Sequence, residues 1–213
     1  MNKLQTTQLT DTWIPATWEE YLQRVENPIY AHASCYYHDG KLRIEMSPLG
    51  HDHACDNTIV SFAVNLFCTL NGIALKGLMN CTYRQVGMED CQPDISYYIG
   101  ADVQAVPWGT RIIHLDRYPL PTLFIEISDT SLADDREEKL RQYEQLGVRE
   151  YWIVDVKNVQ ILAFAILNGA SRRIARSQVL PGLDMAVLTE ALARSRRMDQ
   201  SQVGAWLLAQ FQS

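Results

Sequence analysis

Residues 123–155 read LFIEISDTSLADDREEKLRQYEQLGVREYWIVD. Apolar side chains occupy both alternating faces of Leu123–Ile127, which predicts a strand buried within a sheet over 122–127. Asp134 with Glu137 has the spacing of a capping box, and Leu140, Tyr143 and Leu146 then recur at helical period until Gly147 stops the run. Strands at 150–156 and 159–166 follow. One residue departs from this pattern. Glu126 stands in the middle of the buried strand, where an unpaired carboxylate costs several kcal/mol or takes up a proton. It therefore calls for a cation or strong donors.

Working outward, Pro93-Asp94 opens a similar apolar strand over 94–99, so a second carboxylate is placed at a strand start. A strand is also expected over 81–86. Upstream, Ile59, Phe62, Ala63, Leu66, Phe67 and Leu70 form a helical stripe closed by Asn71-Gly72. The dipeptide Asp39-Gly40 predicts a hairpin between strands 32–38 and 41–46. Thr17 with Glu20 caps a short helix carrying Trp18, Tyr21, Leu22 and Val25. The order of elements describes a mixed α/β domain in which helices flank a central sheet, with boundaries at 16–182. Residues 1–15 read as a flexible polar tail. Residues 183–213 read as a helical extension whose apolar positions Val187, Leu188, Ala191, Leu192, Val203, Trp206, Leu207 and Phe211 pack on the domain or on a second copy, favouring a homodimer.

Asp94 and Glu126 on neighbouring strands suit Mg²⁺ or Mn²⁺, leaving coordination sites for water and a phosphate oxygen. Lys139, one turn into the following helix, suits stabilisation of charge on a phosphoryl group. Each also has an ordinary structural reading: Asp94 capping a turn, Glu126 paired with an arginine, Lys139 in solvent. Glu45, between Ile44 and Met46, is a candidate third acidic contact, and His53 a candidate phosphate or proton partner. The alternate spacing of His51, His53 and Cys55 invites a zinc reading, but no second His or Cys pair completes a tetrahedron. Tyr151-Trp152 reads as core packing rather than a base-stacking surface.

The run Pro93-Asp94, FIEIS at 124–128 and DREEKLRQYEQLGVREYWIVD at 135–155 resembles the Uma2 (DUF820) family, restriction-endonuclease-like proteins of the PD-(D/E)xK superfamily. The likeness runs from about Gly40 to Phe164 and includes Gly40, Glu45, Pro48 and His53. It implies a restriction-endonuclease-like core, Asp94 and Glu126 as metal ligands, and hydrolysis of DNA phosphodiester bonds. In the simplest pattern of that superfamily the lysine follows the acidic residue by two positions. Here that position is Ser128, and the resemblance implies that Lys139 supplies the amine from the next helix. The alternative is a non-catalytic member of the fold that binds nucleic acid or a protein partner.

Composition narrows the field further. With 213 residues, 47% of them hydrophobic, there is material for one sizeable core. Five cysteines without a CxxC pair imply reduced thiols, and no apolar run reaches the roughly 20 residues of a membrane span, so a cytoplasmic protein is expected. A net charge of -6 argues against coating nucleic acid through a broad basic face. Arg172, Arg173, Arg176, Arg194, Arg196 and Arg197 nonetheless gather late in the chain as a possible local phosphate contact.

Overall fold

Strict alternation in the central strands decides which way the chain packs. In the computed structural model, which describes residues 10–46 and 50–212, Leu123, Ile125 and Ile127 point to one side of their strand and join a large apolar cluster. Phe124 points to the other side and joins a second, aromatic cluster. Trp152 and Val154 of the next strand follow the first set, Tyr151 and Ile153 the second. A period of two residues in sequence thus separates two cores lying on either face of one sheet.

In chain order the elements are β1 (Ile14–Pro15), α1 (Trp18–Val25), β2 (Ser34–His38), β3 (Lys41–Glu45), α2 (His51–Leu70), β4 (Leu75–Met79), β5 (Thr82–Gln85), β6 (Glu89–Cys91), β7 (Ile95–Ile99) and β8 (Ile112–His114). They continue as β9 (Leu123–Ser128), α3 (Leu132–Arg136), α4 (Glu138–Leu146), β10 (Glu150–Asp155), β11 (Gln160–Leu167), β12 (Ala170–Ile174), α5 (Met185–Ser195) and α6 (Gln200–Gln212). One sheet has the order β12-β11-β10-β9-β7-β4, and a second has β1-β3-β2-β6-β5-β8. The mixed α/β class expected from sequence is correct, but a single central sheet is not. Short strands such as Glu89-Asp90-Cys91 are too polar and brief to show alternation, so the second sheet was hidden.

Within the first sheet β9 runs parallel to β10, with Glu126 beside Ile153, and antiparallel to β7, with Ile125 beside Ile95. Local signals elsewhere behave as read. Thr17 and Glu20 form a reciprocal capping box, Asp39 and Gly40 both take positive φ in the β2–β3 hairpin, and Gly147 ends α4 in the left-handed region. The capping box expected at Asp134 does not form. The helix begins earlier, at Leu132, and breaks at Glu137, where φ is -117° and ψ is -84°. Asp134 instead accepts from Trp13 Nε1 and pairs with Arg43.

One boundary also needs correction. Residues 1–15 are not all tail: residues 1–9 lie outside the described residues, but Ile14-Pro15 pairs with β3 and Arg43 Nη1 donates to the Asp11 carbonyl at 2.8 Å. The helices of 183–213 pack on the domain, the first of the two arrangements expected. Leu183, Met185, Leu188, Ala191, Leu192, Val203 and Leu207 are buried in the same cluster as α2 and β9, Phe211 meets Phe67 edge-on at 5.2 Å, and the Arg194 guanidinium lies 4.5 Å from the Trp206 ring. Much of the apolar face that suggested a homodimer packs within the chain, while Phe62 and Leu208 stay exposed. Among the described residues no helix is long and apolar enough to cross a membrane, and all five cysteines are free.

Candidate functional site

The antiparallel register of β7 and β9, taken one step beyond the Ile95–Ile125 pair, sets Asp94 opposite Glu126. Glu126 is on the aromatic side of β9, the side covered by α4, and α4 delivers Lys139 and Tyr143 from successive turns. Lys139 Nζ lies 3.4 Å from Glu126 Oε2, 3.1 Å from Glu45 Oε1 and 3.0 Å from Asp135 Oδ1, with 1% of its side chain exposed. Tyr36 completes the enclosure, its ring centroid 4.4 Å from the amine. Tyr143 donates its hydroxyl to Glu126 Oε1 at 2.5 Å. Asp94 Oδ2 accepts from the Ile127 backbone N–H at 2.7 Å and meets His53 Nε2 at 3.3 Å.

The five residues singled out in the sequence, Asp94, Glu126, Lys139, Glu45 and His53, therefore line one cavity of about 410 Å³. The loop Asp129-Thr130-Ser131, Arg43 and Ile127 contribute to its wall. Pro48 lies outside the described residues. Sequence reasoning missed Asp135 and Tyr36, and it gave Tyr143 a place on the helix face without its bond to Glu126. Asp135 had a legible signal, since its spacing of four from Lys139 is that of a helical ion pair. Tyr36 had none, because its contact comes from a hairpin 103 residues away in sequence.

Burial pushes the Glu126 carboxyl well above its ordinary range; Lys139 opposes this and Asp94 adds to it. The upward push agrees with the burial argument made for Glu126 from its place in an apolar strand. Burial alone would depress Lys139, yet Asp135, Glu126 and Glu45 overcome it and hold the amine well above the usual lysine range. Glu45 is likewise pushed up by burial, but Lys139 and Arg43 leave it below normal. His53 is depressed by burial and then raised on balance by its bond to Asp94 and that residue's charge. Burial, followed by the charge of Glu126, keeps the Tyr143 phenol protonated and hence a donor.

Two carboxylates on facing strands suit a small hard cation that keeps several waters, the habit of Mg²⁺. The desolvated Glu126, carrying more negative neighbours than Lys139 alone balances, fits that chemistry. Among the described residues, however, no three His, Cys, Asp or Glu side chains are grouped as a ready cage. The zinc reading fails on geometry as well. His51, His53 and Cys55 all lie in α2, where a spacing of two turns side chains to different faces. His51 faces Asp52 and Cys55 in solvent while His53 turns inward to Asp94.

Three of the six late arginines are held in ion pairs. Arg196 holds the buried Asp56 with two bonds of 2.5 and 2.6 Å, Arg194 pairs with Glu190, and Arg176 with Asp184.

A comparison with curated proteins finds no match. Among solved structures, the chain is similar to a protein from Anabaena variabilis ATCC 29413 titled a "putative nuclease belonging to DUF820". The TM-score is 0.55 at 18% identity, covering 91% of this chain and all of that one, so the two share a fold. The sequence of residues 18–200 matches the family Uma2, described as "Putative restriction endonuclease". The acidic strand pair, the lysine from the following helix and this match together place the chain in the Uma2 family.

Proposed function

We propose that the protein is a metal-dependent endonuclease that hydrolyses phosphodiester bonds in DNA, with Asp94 and Glu126 as the residues that hold Mg²⁺ or Mn²⁺. The single observation that carries this reading is the convergence of Asp94, Glu126 and the Lys139 amine on one cavity. When bound there, the metal would supply Lewis-acid stabilisation of a phosphate oxygen and a more acidic water. Glu126 is positioned for its part by Tyr143, which fixes Oε1 and leaves Oε2 toward Lys139. Asp94 is fixed by the Ile127 N–H and by His53. Lys139 offers a charge held protonated across the neutral range, suited to a phosphoryl group that gains negative charge as water attacks. Glu45 and Asp135 hold that amine in place, while His53 stands beside Asp94 as a proton partner.

One observation favours a second reading, a non-catalytic member of the fold that binds nucleic acid or a protein partner. Lys139 is enclosed by three carboxylates, an arrangement that also serves as a structural ion cluster. Plasmid nicking separates the two. Supercoiled DNA with Mg²⁺ or Mn²⁺ should be nicked by the wild-type chain, and Asp94→Ala should lower the rate at least about a hundredfold, the scale of losing a principal charge-stabilising group. Nicking equal in both proteins, or in neither, removes the catalytic reading.

A further inference from the structure

On the far side of Glu45 and Met46 from the acidic cavity lies a smaller cleft of about 180 Å³, walled also by His32, Ser34, Asn80 and Gln92. Glu45 and Met46 line both spaces, so the two are neighbours across one pair of side chains. The cleft is built where the two sheets meet. Ser34 stands opposite Glu45 in the β2–β3 register. Asn80 follows β4, and its backbone N–H donates to the Asp94 carbonyl at 3.1 Å. Gln92, two residues before Asp94, donates from Nε2 to the Asn80 carbonyl at 3.0 Å.

Its chemistry differs from that of the cavity beside it. The cleft has no Lys or Arg in its lining, and its one carboxylate, Glu45, is already engaged by Lys139 and Arg43. Among the described residues a phosphate would meet no lysine or arginine there. Carboxamides, a hydroxyl, the His32 imidazole and a thioether instead match a neutral planar heterocycle, since an amide offers donor and acceptor together and Met46 offers a polarisable surface. Asn80 has a φ of +49°, a conformation that asparagine tolerates better than most residues.

We infer that this cleft is a subsite for the base of a nucleotide adjoining the phosphodiester that the acidic cavity would receive. The inference rests on the phosphodiesterase reading and gives that activity a source of sequence preference. The side chains that read the base are Asn80 and Gln92, neither of which belongs to the acidic site.

The test uses the full chain and fluorescein-labelled single-stranded oligonucleotides of dA, dC or dT, titrated by anisotropy with Ca²⁺ present. Gln92→Ala removes one carboxamide; Asn80→Gly removes the other while keeping a residue at ease with positive φ. The wild-type chain should discriminate among the three by about tenfold or more, the scale of one base-reading amide pair. At least one variant, with an unchanged melting temperature, should reduce that spread to less than about threefold. Discrimination preserved in both variants, equal wild-type affinity for all three, or no binding of any of them overturns the subsite. Plasmid nicking abolished by Asp94→Ala alongside preserved discrimination would retire the subsite and leave the nuclease reading standing. Lost discrimination without any nicking would do the reverse.

Discussion

The two faces of the β12-β11-β10-β9-β7-β4 sheet solve the packing problem differently. Under α2, α5 and α6 lies an aliphatic core in which Ile125, Val154 and Leu188 are at most 1% exposed. On the other side the same strands present tyrosines, phenylalanine and the buried Glu126, and α3 and α4 lay the buried Asp135 and Lys139 against them. The first face is held by the hydrophobic effect and tolerates no unpaired polar group. On the second, each charge is stable only through its partners, so the fold carries groups that a pure core would exclude. The aliphatic side buries carboxylates singly, Asp56 with Arg196 and Glu150 with the Trp152 indole and the Gln178 and Val179 N–H groups, whereas under α4 a hairpin, a strand start and a helix gather several carboxylates around one amine.

The largest expected effect comes from breaking the charged face. Lys139→Met keeps the length of the side chain but abandons Glu45, Glu126 and Asp135, and should cost about 3–5 kcal/mol at neutral pH by urea unfolding. The cost should shrink as pH falls, because the abandoned carboxylates take up protons more readily in the folded variant than in the unfolded chain. A pH-independent loss would mean that Lys139 acts there mainly as a space-filler.

Ile125→Ala, one residue along the same strand but on the aliphatic side, should cost about 2–5 kcal/mol through lost burial and the cavity left behind. Here the loss should not change between pH 5 and 8, since nothing that titrates is abandoned, a range chosen to bracket the ordinary histidine value of about 6.5. Denaturation of both variants at the same two pH values contrasts the faces directly.

A smaller effect sharpens the comparison through the metal. Because burial raises Glu126, there is a pH window above the ordinary carboxylate range in which the folded metal-free chain binds a proton more readily than the unfolded chain. The contribution of this group to stability is therefore greatest at low pH and declines as pH rises above the ordinary carboxylate range. A divalent ion must displace that proton, so Mn²⁺ should raise the melting temperature more at pH 8, where the stabilisation approaches about 2.7 kcal/mol at a hundredfold excess over Kd, than at pH 6. Equal shifts at both pH values, or none, would show that Glu126 does not receive the ion.

Much of this was legible in the amino-acid sequence because it is local. Alternation marked the buried strands β7, β9 and β10, Thr17 and Glu20 marked a helix start, Gly147 a helix end, and a carboxylate inside an apolar strand marked Glu126 as a group in need of partners. The residues themselves pointed to Asp94 and Glu126 and offered Lys139, Glu45 and His53 as candidates; the resemblance to the Uma2 family joined them into one set. Only the tertiary structure decided that the strands divide into two sheets, that α5 and α6 complete the aliphatic core, and that Trp13 takes up Asp134. It also decided the partners of Lys139. Tyr36 and Glu45 reach that amine from the β2–β3 hairpin, about a hundred residues earlier in the chain, and no periodicity records a contact whose closeness depends on how separate elements are packed. Sequence pattern sets which way a side chain leaves its own strand or helix; the packing of strand on helix sets what it meets.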